Sequence, residues 1–291
     1  MSQSPTGKQY HLTHSDYQVC VTQAGANLRS LRFRGDEILW TFSAAEIPRD
    51  YQGAQLVPWP SRIRDGRYHY GGVTHQLPIN EPERGVALHG LNRSLSWLAT
   101  EHDVDSLVQR TTLYPQPGWP GLLELIIRHD LTEHGLSVEL TASNVGELAA
   151  PFGYGAHPYF AVTDLASAQL QLPFDQEVTL DENLLPVSLQ PIAADRDYRE
   201  PRAVAAAALD NSFTAPSTLP WRATLVQPGR SIEVWAEASM PWLQVYTRPQ
   251  RDAIAIEPMT CGPDAFNHDD LGRIDLSPGE TRVFRWGISV S

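Results

Sequence analysis

At 291 residues, with 42% hydrophobic residues and 8 tryptophans, the chain is large enough to bury a sizeable core and carries no bias toward disorder. A formal charge of −12 opposes a general attraction to nucleic acid or to an anionic membrane, because both draw on basic surface. Its two cysteines, Cys20 and Cys261, are far apart and lack CxxC spacing, so neither a disulfide framework nor a zinc site is expected, and a reducing compartment fits.

The N-terminal stretch MSQSPTGKQYHLTHSDY has no apolar signal region, and no later stretch approaches the roughly 18 apolar residues of a membrane span. The expectation is a cytoplasmic protein, monomer or homodimer, with a small-molecule partner and neither nucleic acid nor membrane. VPWPSRIRDGRYHYGG reads as a hairpin bearing Arg62, Arg64 and Arg67 beside aromatic residues. LPINEPERGVALHGLNRS follows and places Asn80 and His89 on turn-rich backbone, where binding groups gather on rigid sheets. Each has an ordinary reading: arginines at this density form solvated strand faces, and a histidine before glycine caps a turn. Taken singly they decide nothing.

Further on, the apolar period is two. GLSVELTASNVG sets Leu136, Val138 and Leu140 on one face, SIEVWAEA does the same with Ile232, Val234 and Ala236, and WLQVYT and DAIAIEP repeat the habit, so all read as half-buried strands. Prolines and glycines in YPQPGWPG and LSPGETR punctuate these runs as turns. One helix is expected, short and alanine-rich, around Ala203 to Leu209 and ending near Asp210. No boundary interrupts the pattern, and many antiparallel strands without βαβ spacing predict an all-β sandwich or barrel in a single domain over 1–291.

Two residues carry chemistry. Glu257 ends the apolar run AIAI before Pro258, so its carboxylate needs either a salt-bridge partner or a raised pKa; the second makes it a general base. His157, in GAHPYF, titrates near neutral pH and is the matching proton donor. There is no GxSxG, GxxxxGK[ST], HExxH or GxGxxG, and the histidines do not pair at metal spacing, so nucleophilic, nucleotide and metal readings weaken and neither metal nor cofactor is expected.

In order along the chain, PSRIRDGRY, ALHGL, GAHPYF, ALDNSF and AIEPMTCGPDAFN match successive elements of one family. Over essentially its whole length the chain resembles the aldose 1-epimerases, the galactose mutarotase-like proteins. The resemblance implies a β-supersandwich of mostly antiparallel strands with few short helices, and interconversion of the α and β anomers of a free aldohexose without cofactor or metal. It implies Glu257 as the base at the C1 hydroxyl, His157 as the acid at the ring oxygen, His89 as the second histidine near that oxygen, and Arg62 and Asp210 as holders of the remaining hydroxyls. Acid and base would stand on opposite sides of the hemiacetal, and the small residues before His157 would let the sugar approach closely. Asn80, Arg64 and Trp242 are further candidates for sugar contact. Trp97 and Trp119 could also stack on a sugar face, although core packing is the ordinary role of a tryptophan.

Ser61 stands where the family often has asparagine, and Leu91 where a second glycine is usual. With Arg64, Arg67, Arg84 and Arg93 near the site segments, these departures leave an anionic sugar, such as a sulfosugar or a hexose 6-phosphate, as an alternative substrate. A non-catalytic sugar-binding module and a glycoside hydrolase using Glu257 with Asp210 are the competing classes.

Overall fold

The strand pairs are antiparallel, and two large sheets face each other. A computed structural model describes residues 4–204 and 207–291. One sheet has nine strands, centred on Leu123–Thr132, Gly135–Asn144 and Thr281–Val290; the other has eight, centred on Trp242–Thr247 and Ala253–Met259. A four-stranded sheet built from Gln9–His14, Tyr17–Thr22, Leu28–Phe33 and Asp36–Glu37 opens the chain. Three two-stranded ribbons complete the set, among them Arg62–Arg64 paired with Val86–Leu88.

The period of two is realised in the nine-stranded sheet. Leu136, Val138 and Leu140 are buried on one face, Ile127 lies opposite Leu140, and Phe284 faces Leu140 from the other side. Ile232, Val234 and Ala236 are buried in the same way and share a core with Phe213, Val245 and Ile256 of the eight-stranded sheet. Each large apolar side chain taken from water there contributes about 1.5–3 kcal/mol, which favours this register over one shifted by a residue.

Two expectations are corrected. Ala253–Met259 is not half-buried: all seven of its residues are buried, with Ala253 and Ala255 packing beside Tyr159 while Ile254 and Ile256 enter the main core. Small residues on one face and large on the other produce the alternation that resembled a solvated strand. The alanine-rich helix is also absent where the chain is described. Arg202–Ala203 is a strand pairing with Gln169 and Leu170, and Leu209 exchanges hydrogen bonds with Thr247; Ala205 and Ala206 lie outside the described residues. Buried Val204 and Leu209 anchor the segment, and sheet pairing overrides the helical propensity of alanine.

Candidate active site

Glu257 occupies the central strand of the eight-stranded sheet, opposite Gln244 of Trp242–Thr247. On its other side the sheet is interrupted at Pro158, so two short strands, Gly155–His157 and Tyr159–Ala161, pair with it in turn. His157 ends the first of these, and its Nε2 lies 3.4 Å from Glu257 Oε1. Both side chains are almost fully buried, at 5% and 2% exposure, and His157 Nδ1 and Glu257 Oε2 have no hydrogen-bond partner among the described residues.

Desolvation acts on the two in opposite senses. Burial, assisted by the nearby Asp210 and opposed by Arg62, holds the Glu257 carboxyl well above the ordinary carboxylate range. The same burial brings the His157 imidazole down to about 3. Each is thereby favoured in its uncharged form, so the pair carries one proton between a carboxyl and an imidazole in contact.

His89 follows the strand Val86–Leu88 in a left-handed conformation, φ 59°, and Gly90 continues at φ 73°. A Cβ on Gly90 would stand 2.1 Å from the Val57 carbonyl oxygen, which explains the H-G pair. The Ser61 backbone N–H donates to His89 Nδ1 at 3.1 Å, and the His89 N–H donates back to the Ser61 carbonyl at 2.9 Å. With Nδ1 accepting, neutral His89 carries its proton on Nε2. His89 reaches the cavity surface yet is enclosed by protein, and this desolvation, with His157 and Arg62 nearby, keeps its pKa well below 6.5. Its ring meets His157 edge-on at 5.2 Å.

Arg62 and Asp210 complete the group. Arg62 donates through Nε and Nη2 to Glu81 at 2.7 and 3.0 Å, and Arg84 Nη1 donates to the same carboxylate at 2.8 Å. Asp210 begins the strand Asp210–Pro216 and accepts from Gln244 Nε2 at 2.6 Å. Gln244 accepts in turn from the Ser212 hydroxyl, so it is fixed between the two. Burial raises the Asp210 pKa against the opposing pull of Arg62.

Glu257, His157, His89, Arg62 and Asp210 thus line one cavity of about 310 Å³, a volume in the usual range of small-ligand sites. A larger depression of about 490 Å³ lies on the N-terminal sheet around Cys20 and Arg29; its acid and base in contact are Glu37 and Arg32, an ordinary ion pair at 3.5 Å, and among the described residues it has no carboxyl–imidazole contact. Among the described residues no group of three or more His, Cys, Asp or Glu is placed to hold a metal ion, and no helix is long and apolar enough to cross a membrane.

Five of the sequence candidates for sugar contact stand elsewhere. Trp242 is buried against Val178, Met259 and Leu271, so its ring is core; Trp97 and Trp119 are buried as well. Arg64 points away from the cavity toward Asp181 and Asp264, at 3.4 and 3.9 Å. Asn80 is a brace rather than a wall: it donates to the Leu88 carbonyl and the Tyr51 hydroxyl and accepts from the Leu88 N–H, fixing the turn ahead of His89. The glycine before His157 is also not ligand space, because a Cβ at Gly155 would meet Pro60 and Met259 at 2.9 and 3.0 Å.

The cavity also includes residues that sequence reasoning passed over, Tyr51, Glu81, Gln244 and Tyr246, besides Tyr159 of the GAHPYF stretch. Tyr51 packs 4.6 Å from the His89 ring. Gln244 and Tyr246 alternate with buried Leu243 and Val245, so the period of two in WLQVYT was a usable signal for a polar face beside Glu257.

The structure is that of an antiparallel β-sandwich with a buried carboxyl–imidazole contact lining a polar cavity. The aldose 1-epimerase family model matches residues 8–289, and the chain belongs to that family. It is 34% identical over 268 residues to the uncharacterised protein YihR of Escherichia coli (strain K12), an alignment covering 90% of this chain and 87% of that one. It is 26% identical over 269 residues to the aldose 1-epimerase of Streptococcus thermophilus, covering 78% of this chain and 75% of the relative. The GalM/aldose epimerase homologue of C. elegans has the same fold, with a TM-score of 0.88, 18% identity and coverage of 98% of both chains.

Proposed function

We propose that the protein is an aldose 1-epimerase that interconverts the α and β anomers of a free aldohexose by opening and reclosing its ring. The observation that carries this reading is the Glu257–His157 contact of 3.4 Å, with one polar atom of each left without a partner on a cavity floor. Two buried ionisable groups with unmade hydrogen bonds cost stability, and a ligand that completes those bonds gives the arrangement a use.

The chemistry asks for this arrangement. O1 and the ring oxygen are bonded to the same carbon, so an acid and a base in contact with each other can serve both, instead of standing on opposite sides of the hemiacetal. Glu257, as carboxylate, takes the O1 proton while the His157 imidazolium protonates the ring oxygen; the C1–O5 bond opens to an aldehyde. Rotation about C1–C2 presents the other face, and reversed transfers close the ring with no net proton consumed. Contact between the two side chains lets their shared proton pass from carboxyl to imidazole before the step. His89, with Nε2–H fixed by the Ser61 amide, is a donor to the ring oxygen region that need not titrate. Arg62 and the Gln244-held Asp210 orient the remaining hydroxyls. The buried, unpaired Cys20 and Cys261 suit a cytoplasmic setting.

A second reading, an anionic aldose such as a hexose 6-phosphate or a 6-sulfonated hexose, is favoured by Arg84. Its guanidinium lines the cavity beside Arg62, the two share the single Glu81 carboxylate, and Arg84 Nε is buried without a partner. A sugar-binding module without catalysis has no use for a buried Glu257 whose Oε2 is left without a partner.

Anomer conversion followed by polarimetry or exchange NMR on pure galactose, glucose, a hexose 6-phosphate and a 6-sulfonated hexose tests these readings. Glu257→Gln and His157→Asn should each cost about 10²–10⁴-fold in rate with the fold retained. Turnover by Glu257→Gln at the wild-type rate removes the base assignment. Arg84→Ala should slow the anionic sugars alone if they are the substrates.

A further inference from the structure

The segment after Glu257, CGPDAFN, is absorbed by none of the steps above, yet its Asp264 is 1% exposed and sits in a left-handed conformation, φ 54°. The aspartate is bound to the opposite ribbon from both ends. Its own N–H donates to the Arg62 carbonyl at 2.8 Å, and its Oδ1 accepts the Arg64 N–H at 3.0 Å. Asn267 extends the attachment, donating through Nδ2 to Asp264 Oδ1 at 2.8 Å and to the Arg67 carbonyl at 2.9 Å. The remaining oxygen, Oδ2, faces His268 Nε2 at 3.4 Å and Arg64 Nε at 3.9 Å.

These bonds span two parts of the site that no sheet joins. Among the described residues Arg62–Arg64 pairs only with Val86–Leu88, as a two-stranded ribbon outside both large sheets, and it carries Arg62 while Ser61 and His89 are bonded to each other at its end. Glu257 and His157 belong to the eight-stranded sheet. Asp264 follows the end of the Glu257 strand, Met259, by five residues and reaches the middle of the ribbon.

Accordingly, and resting on the epimerase reading, we propose that Asp264 is a positioning residue: it clasps the ribbon bearing Arg62 and His89 to the loop that leaves the Glu257 strand, and so sets the spacing between sugar-holding and proton-transferring groups. The required feature is an acceptor at Oδ1, not a charge. Asparagine supplies the same acceptor, tolerates φ near +54°, and presents an amide N–H to His268. Glycine adopts that backbone without strain and keeps the N–H bond to the Arg62 carbonyl, but it removes the Oδ1 acceptor that holds the Arg64 N–H and Asn267.

The test compares Asp264→Asn with Asp264→Gly. A displaced ribbon should lower kcat/KM of Asp264→Gly by about 10²-fold, with Asp264→Asn within about threefold of wild type. In an Arg62→Ala background Asp264→Gly should add much less, because the group it positions has been removed. Hydrogen exchange of the Arg64 amide reads the clasp without any substrate: protected in wild type and Asp264→Asn, fast in Asp264→Gly. A purely structural aspartate would lower Tm while leaving kcat/KM of the folded protein unchanged. Wild-type kcat/KM in Asp264→Gly, an Arg64 amide equally protected in all three, or losses from Asp264→Gly and Arg62→Ala that simply multiply would each overturn the proposal. A wild-type protein that converts no aldose sinks the epimerase reading instead, and the exchange result then decides whether the clasp exists.

Discussion

His129 offers the cleanest test of how burial controls the stability of this fold. It lies on the strand Leu123–Thr132, between Leu107 and Val138 of the neighbouring strands, fully buried with neither ring nitrogen hydrogen-bonded. Desolvation alone brings its pKa from 6.5 down to about 3. Below pH 6.5 the unfolded chain therefore binds a proton that the folded chain refuses, and stability falls as pH drops from 6.5 toward 3. At pH 5 the imidazole lies 1.5 pH units below its unfolded pKa of 6.5, a loss of about 2 kcal/mol. In His129→Leu that component should vanish. The variant should match or exceed wild type at pH 7, where an unsatisfied buried imidazole has been replaced by an apolar side chain, and exceed it further at pH 5. Urea unfolding at the two pH values measures the difference, which corresponds to about 3 °C in Tm for a chain of 291 residues. Parallel pH dependences in wild type and variant would refute the reasoning. His157 is a poorer probe, because protonation of the adjacent Glu257 acts in the opposite direction.

Glu257→Gln should be more stable than wild type at alkaline pH: the wild-type folded state keeps a carboxyl protonated above its ordinary range, so its stability declines as pH rises from 4.5 through the raised value, and the amide has nothing to ionise; a denaturation series from pH 6 to 9 reads this. Gly90→Ala drives a Cβ to within 2.1 Å of the Val57 carbonyl oxygen at a positive φ, so it should lower Tm and disturb His89 together, by an amount above the roughly 1 kcal/mol of a left-handed alanine. Gln244→Ala leaves Asp210 without its donor at 2.6 Å, and should raise KM for the sugar more than it lowers kcat in initial-rate assays.

The sheet architecture was legible because period-two burial is a local property: Leu136, Val138 and Leu140 announce their face whatever lies opposite. The ordered short motifs likewise led to Glu257, His157, His89, Arg62 and Asp210, which the fold brings to one cavity. What sequence could not supply was pairing across distance. Arg64 resembles a sugar-binding arginine until Asp181 and Asp264, 117 and 200 positions away, occupy it. Asn80 has the chemistry of a binding residue but spends its amide on Leu88, and Trp242 has the shape of a stacking platform but faces Met259 and Leu271. The alanine run failed for a related reason, since the strand at Gln169–Gln171 that captures Ala203 is remote in sequence.

The backbone around the cavity departs from sheet geometry in a consistent way. Asp50, Tyr51, Ser61, His89 and Asp264 all have φ between 48° and 59°, a region that costs a non-glycine residue about 1 kcal/mol or more. Regular strands would send each of these side chains alternately into the core or into solvent, whereas a left-handed residue turns the chain so that successive groups converge. The strain is held by the bonds already described: Ser61 and His89 grip each other, and Asp264 grips the ribbon between them and the Glu257 strand. The two large sheets therefore supply the rigidity and Glu257 with His157, while the strained loops bring Arg62 and His89 to face that pair. Substitutions that relax these loops should stabilise the fold at the expense of turnover, and those in the sheets should do neither selectively.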